Sequence, residues 1–569
     1  MIEKVLTNKK LITFIISFLI YVTLCFQDIV EPYNMLSILL FIVMYYGIYK
    51  TNLNHSYKKE FSIISLILSF LLVLGRILYN LRYDPITNSL KELLSIKSLI
   101  YLFGVSSLIY IFFSLIVIRL IKYINNSNNK INNIFKLSFI IIFGVYLVYY
   151  LIYYPGILTG DSIDEINMIL GNVPLNDHHT VFHVLFLLIP FKITSIFTDN
   201  INVCIGIITL LQIILMSLIL SYSINYLYKK NTPKVILIGL ILYYALLPIN
   251  GFYSITMWKD IIFSILIVLL TIQCQKLIEK KNDITIKNSY SFVITSILVI
   301  LARNNAIYMY IILALLTLII FRKKILTILL MFIIIFGTYF TIKGPIYNYF
   351  KIEKSSSSEY IAIPLQQIGR MAYKNIKFTK YEEKEISKII PISKLKKVYT
   401  PDIVDPIKFD DDYNKDVFEN NKEKYFKIWL GLCIKHPVVA VESYLTSTLG
   451  YWYPGVEYWV TIDKIDSNDL GIKNVSIVPD SIRNKFSKIT STKIPLLGFT
   501  KCIGLCIWTI FILAYIAIKK KRKEVLYSFV PVIGIWLTLL LATPVIAEFR
   551  YIYCAYLCLP IYIGLIYSK

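Results

Sequence analysis

The sequence predicts an all-α polytopic membrane protein. Hydrophobic residues make up 57% of the 569 and charged residues only 17%, with a mean hydropathy of +0.65. A soluble chain has no place to bury that much apolar surface, because single cores stop growing at a few hundred residues. The apolar residues also come in continuous runs of about twenty, the length a helix needs to cross hydrocarbon. Alternating runs would mark a β-barrel, and none is present.

The first run, 11–26, follows Lys4, Lys9 and Lys10 and ends Leu24-Cys25-Phe26-Gln27-Asp28. It lacks the small-x-small pattern of a cleaved leader and reads as a retained helix. Runs at 61–79 and 99–120 complete an N-terminal transmembrane bundle over 1–123. Residues 124–342 form a second group of spans, with a first outer loop at 155–180. Short basic loops at 1–10, 50–60, 119–136, 228–234, 276–287, 321–324 and 519–524 fall on one side, as the positive-inside bias requires. The resulting zigzag crosses the membrane about fourteen times, with both termini cytoplasmic and a cell-membrane location. Residues 183–197 are apolar but broken by Pro190 and Lys192, so a re-entrant or surface helix is expected there. Residues 343–495 change composition, with serines at 355–358 and aspartates at 410–412, and read as a mixed or helical extracytoplasmic domain. Within it, 425–441 is amphipathic and expected on the membrane face. Residues 496–569 supply the C-terminal transmembrane helices.

The formal charge of +24 follows from the loop lysines and is assigned to topology, with no nucleic-acid partner. The eight cysteines lie mostly inside spans and show no CxxC or CxxxH pattern, which argues against a disulfide framework or structural zinc.

Chemistry-bearing residues gather in the loop after the run 135–154. Asp161, Asp164, Glu165 and Asp177 share it with His178, His179 and His183. Pro155 and Gly156 end the span, and Gly160-Asp161-Ser162 looks like a helix start that leaves Asp161 at the bilayer surface. On that helix Asp161 would share a face with Asp164 or Glu165. Carboxylates and imidazoles together at a membrane boundary suit acid–base or metal chemistry. His179 and His183 stand at the i,i+4 spacing of a chelating pair, but the Glu of a zinc-protease helix is missing. The metal is therefore unknown. Lys259-Asp260, Arg303-Asn304 and Glu548-Phe549-Arg550-Tyr551 sit at span ends on the same outer side. Lys259, Arg303 and Arg550 there suit a lipid-linked phosphate, with Asp177, His178, His183, Asp260, Asn304, Glu548 and Tyr551 as acceptor contacts or supports.

The order Tyr154-Pro155-Gly156, Asp161-Ser162, the His cluster, Trp258-Lys259-Asp260, Arg303-Asn304-Asn305 and Phe549-Arg550-Tyr551 resembles a family of uncharacterised bacterial proteins of the GT-C type. The likeness runs from about Tyr146 to the C-terminus. More broadly it is similar to the GT-C superfamily of membrane glycosyltransferases, whose first outer loop carries an essential acid. Thr180 stands where that superfamily usually has a proline after His, and four extra spans precede the core. The resemblance implies a GT-C-like core, a polyprenyl-phosphate-linked sugar as donor, and an envelope glycan, lipid or protein as acceptor. It implies Asp161 as general base and a phosphate site at Lys259, Arg303 and Arg550, with Asp164, Glu165 and His179 orienting the acceptor or holding a divalent cation. It leaves the need for that cation open. A polysaccharide polymerase or ligase would show arginine-rich outer loops, and a lipid-linked saccharide transporter would place its charges in mid-span. Neither pattern is seen.

Overall fold

A backbone in hydrocarbon must satisfy its own polar groups, and long apolar runs of Ile and Leu do so as helices. The computed structural model describes residues 9–27, 29–31, 35–51, 55–84, 90–125, 131–353, 361–456, 458–489, 501–542 and 545–569. The serines at 355–358 fall outside them. Among the described residues the named elements are all helical, joined by a few isolated bridges. Among the described residues nine helices are long and apolar enough to cross a membrane, or eleven if two bent pairs each count once. Five more apolar helices are 10–17 residues long, so fourteen crossings would require the short ones to span as well. One of these, Val181–Ser195, contains Pro190. Among the described residues none of the eight cysteines is joined in a disulfide.

The chain divides into two compact units. The first comprises 1–123, 362–456 and 544–546; the second comprises 124–361, 457–543 and 547–569. Residues 343–495 are therefore not one domain. Their middle belongs with the N-terminal helices, because Arg370 and the aromatic residues near 450 find their partners there. Arg370 donates to the carbonyls of Arg82 (2.7 Å) and Leu81 (2.9 Å) and to Glu442 (2.6 Å). Tyr453 lies directly on Gly75, where a Cβ would come within 2.3 Å of its ring.

In the second unit, the helix Ile134–Ile152 packs along Ile201–Lys229. After Ile152 the chain turns at Pro155-Gly156. Gly156 has φ +143°, and a Cβ would meet the Thr209 hydroxyl at 2.6 Å, so only glycine fits. Ile157 then pairs alongside Thr256: its N–H donates to the Ile255 carbonyl and its carbonyl accepts from Met257. The buried Gln212 amide holds this second strand-like stretch by donating to the carbonyls of Ser254 (3.0 Å) and Thr256 (2.9 Å). This pairing brings the loop at 157–161 beside Trp258-Lys259-Asp260.

Candidate functional site

The acidic helix runs Gly160–Leu170, with Thr159 rather than the Gly160-Asp161-Ser162 segment as its cap residue. Trp258 Nε1 donates to the Thr159 hydroxyl at 2.8 Å, and Ser162 Oγ donates to the Met257 carbonyl at 2.5 Å. Asp466 accepts from the Gly160 N–H at 3.0 Å. Asp161 thus occupies the first helical turn, where the exposed N–H groups favour a carboxylate.

Asp161 is paired with a cation 389 residues away. Arg550 Nη1 donates to Asp161 Oδ2 at 2.6 Å, and its guanidinium lies over the Trp258 ring at 5.0 Å. The other side of Arg550 faces Glu548 (3.3 Å) and Asp260 (4.0 Å). Asp260 also meets Arg303 Nη1 at 2.9 Å, without the alignment of a hydrogen bond; both of its oxygens are buried and lack hydrogen-bond partners. Arg303 is buried too and donates to the Tyr551 carbonyl at 3.1 Å. Three carboxylates therefore surround two guanidinium groups. Asp161 is the open member, with 40% of its side chain exposed. Lys259 completes the rim, donating to the His178 carbonyl at 3.0 Å and standing 3.5 Å from His179 Nδ1.

The electrostatics follow from this crowding. Burial would raise the Asp161 pKa, but Arg550, then Lys259, outweigh it and hold the carboxyl at about 2. Burial pushes Glu548 up to about 8 despite Arg550, with Asp260 and Asp161 adding to the rise. Burial and the Lys259 ammonium lower His179 to about 3, so its imidazole stays neutral. Asp164, 66% exposed, is raised by burial and by Asp161, and lies 3.9 Å from His179.

The other predicted residues divide. Glu165 does not share the open face: it is buried, with both oxygens 2.9 Å from His183 Nδ1. It fastens the acidic helix to the helix Val181–Ser195. That helix begins only at Val181, so His179 precedes it and the i,i+4 chelating geometry of His179 and His183 does not form. Among the described residues no three His, Cys, Asp or Glu side chains are grouped to hold a metal. Asp177 forms a second cluster with Asn304, whose amide donates to the Asp177 carbonyl at 2.9 Å. Sequence reading missed its cation: Lys343 Nζ lies 2.6 Å from both Asp177 oxygens and 2.8 Å from Asn304 Oδ1. A lone lysine closing the apolar run 325–342 was the available signal. Trp258 and Asp466 were missed as well. Arg303, expected among the phosphate-binding cations, is buried between Asp260 and the Tyr551 carbonyl.

Residues 170–567 match the model of DUF6020, a family of unknown function, and the chain belongs to that family. The matched segment includes Asp177 to Tyr551 of the site, whereas Asp161, Asp164 and Glu165 precede it. No curated protein and no solved structure matches.

Proposed function

We propose that this chain is a membrane glycosyltransferase that moves a sugar from a polyprenyl-phosphate donor to an envelope glycan, lipid or protein at the extracytoplasmic face. In this reading it crosses the membrane about fourteen times through a GT-C-like core, with both termini cytoplasmic. The observation that carries the proposal is the contact between Asp161 and Arg550, an open carboxylate held by a guanidinium at the start of the last apolar helix. A lipid-linked substrate would deliver its phosphate at such a boundary, and an arginine binds that phosphate bidentately.

The acceptor hydroxyl attacks the anomeric carbon, and the bond from that carbon to the phosphate oxygen breaks. The electron pair leaves with the polyprenyl phosphate, and the hydroxyl proton passes to Asp161. Arg550 and Lys259 stabilise the charge on the departing phosphate. A carboxyl held at about 2 is a weak base, and the same guanidinium that weakens it is the phosphate ligand. Donor binding therefore draws Arg550 from Asp161 to phosphate and restores the basicity of Asp161 when the sugar is seated. Asp164 and the neutral His179 are left to orient the acceptor.

The test uses purified full-length protein in nanodiscs with polyprenyl-phosphate sugars and envelope fractions as acceptors. Transfer that disappears in Arg550→Ala and Asp161→Asn is the expected result. Failure of every lipid-linked donor to turn over, or normal transfer by Asp161→Asn, would falsify the proposal.

A further inference from the structure

The helix Lys422–Lys435 buries one apolar face and exposes a second row of apolar residues beside the exposed ion pair Glu423–Lys427, more apolar surface than a helix resting on a soluble domain needs. Tyr425, Ile428 and Leu432 are buried and form the inner face. Phe426, Leu430 and Ile434, at i, i+4 and i+8, form a ridge on the outer face, and Ile434 is 71% exposed. The chain then bends by 107° at His436-Pro437 into the helix Pro437–Ser447, where Val438 (62% exposed) and Val441 are exposed as well.

The polar side of the first helix is tied down. Lys424 pairs with Glu385, and Trp429 Nε1 donates to Gln367 Oε1 at 2.6 Å. Lys435 pairs with Glu382. These ties fix the ridge facing away from its own unit.

The depth of the second helix is set by the span Lys58–Leu81. Glu442, on the second helix, holds Arg370, and Arg370 caps the carbonyls of Leu81 and Arg82 at the end of that span. The helix Pro437–Ser447 therefore lies where a span leaves the hydrocarbon. Just beyond it, Tyr453 packs on Gly75, about two turns inside the span. The four lysines of the first helix are each neutralised by a carboxylate, Lys422 by Glu419, Lys424 by Glu385, Lys427 by Glu423 and Lys435 by Glu382, so no unpaired charge of the helix opposes its approach to lipid.

We infer that the bent pair Lys422–Lys435 and Pro437–Ser447 is a monotopic anchor, its exposed apolar ridge lying among acyl chains. The ridge covers itself with lipid rather than with a protein partner, because the span end beside it sets it at interfacial depth.

The test places the photoreactive residue benzoylphenylalanine at Phe426, Ile434 or Val438 of the full chain, with Asp411 as an exposed polar control. The proteins are reconstituted in phosphatidylglycerol–phosphatidylethanolamine vesicles, irradiated, and their adducts identified by mass. Lipid adducts at the three apolar positions and none at Asp411 are expected. Protein adducts at those positions, or no adduct there, overturn the inference. Phe426 is nearly isosteric with the probe and keeps the experiment decisive if another position is not tolerated.

Discussion

Two buried arginine clusters, one in each unit, are built from the same groups and differ in how completely those groups are satisfied. In the first unit Arg370 gives its N–H groups to two backbone carbonyls and to Glu442, whose second oxygen takes Lys374 at 2.9 Å. In the second, Arg550 has one close bond, to Asp161; its Nε is buried with no hydrogen-bond partner, and both Asp260 oxygens are likewise without one. A satisfied buried ion network holds a fold together, whereas buried charges left without hydrogen bonds cost free energy that a bound ligand can recover. The contrast fits Arg370 to a structural role and, on the proposed function, Arg550 to ligand binding.

Breaking the satisfied cluster has the largest expected effect. Arg370→Ala leaves Glu442 buried without its guanidinium and opens two helix-end carbonyls, a loss of about 3–5 kcal/mol. It should appear as a lowered melting temperature and poor recovery from membranes. If Arg370→Ala melts like the parent, the distinction between the clusters fails. Next in size is Asp161→Asn, which keeps the shape of the side chain and removes its ability to take a proton. Transfer should fall by about 10²–10⁴ in protein that still folds, with at most a modest drop in melting temperature from the lost Asp161–Arg550 ion pair. Full loss in Asp164→Asn alone would move the base three residues along the same helix.

A smaller effect with an unusual sign sharpens the comparison. Asp161 occupies the Arg550 guanidinium that, on the proposed function, a donor phosphate would need. Asp161→Asn should therefore bind a short-chain prenyl phosphate about tenfold more tightly than the parent, since a charged hydrogen bond no longer has to be exchanged. Arg550→Ala should bind it more weakly. Calorimetry on protein in nanodiscs measures both. Equal or weaker binding by Asp161→Asn means that phosphate does not compete for Arg550, whatever the protein transfers.

Much of the site was legible because its residues interrupt apolar runs. Asp161, Lys259 and Arg550 stand out against spans of Ile and Leu, and their grouping needed only the topology. The pairings were not legible. Asp161 meets Arg550 through a contact spanning most of the chain, and no local pattern reveals that Arg303 lies buried between Asp260 and the Tyr551 carbonyl. The direction of Glu165 was missed for a related reason. Helical spacing puts it near Asp161, but the packing of the helix Val181–Ser195 decides which face is open. The division of 343–495 between two units was hidden because composition reports exposure to water, not which helices a segment packs against.

The smallest expected effect concerns protons. Glu548 ordinarily titrates near 4.5 and is held at about 8 in the fold, so between those values the folded chain keeps a proton that the unfolded chain has released. The stability this contributes is complete below 4.5 and is lost as pH rises through 8. His179 acts with the opposite slope: its pKa falls from 6.5 to about 3, so the fold is disfavoured as pH drops through that window and unaffected above it. The shift of Asp161, from 3.8 to about 2, acts lower still. Between pH 6.5 and 8 Glu548 is therefore the only one of the three that titrates differently in the two states, and the melting temperature should fall across that interval. Glu548→Gln has no proton to lose and should flatten it. An unchanged slope in Glu548→Gln would mean that the carboxyl ionises normally beside Arg550, and that the second cluster is as well compensated as the first.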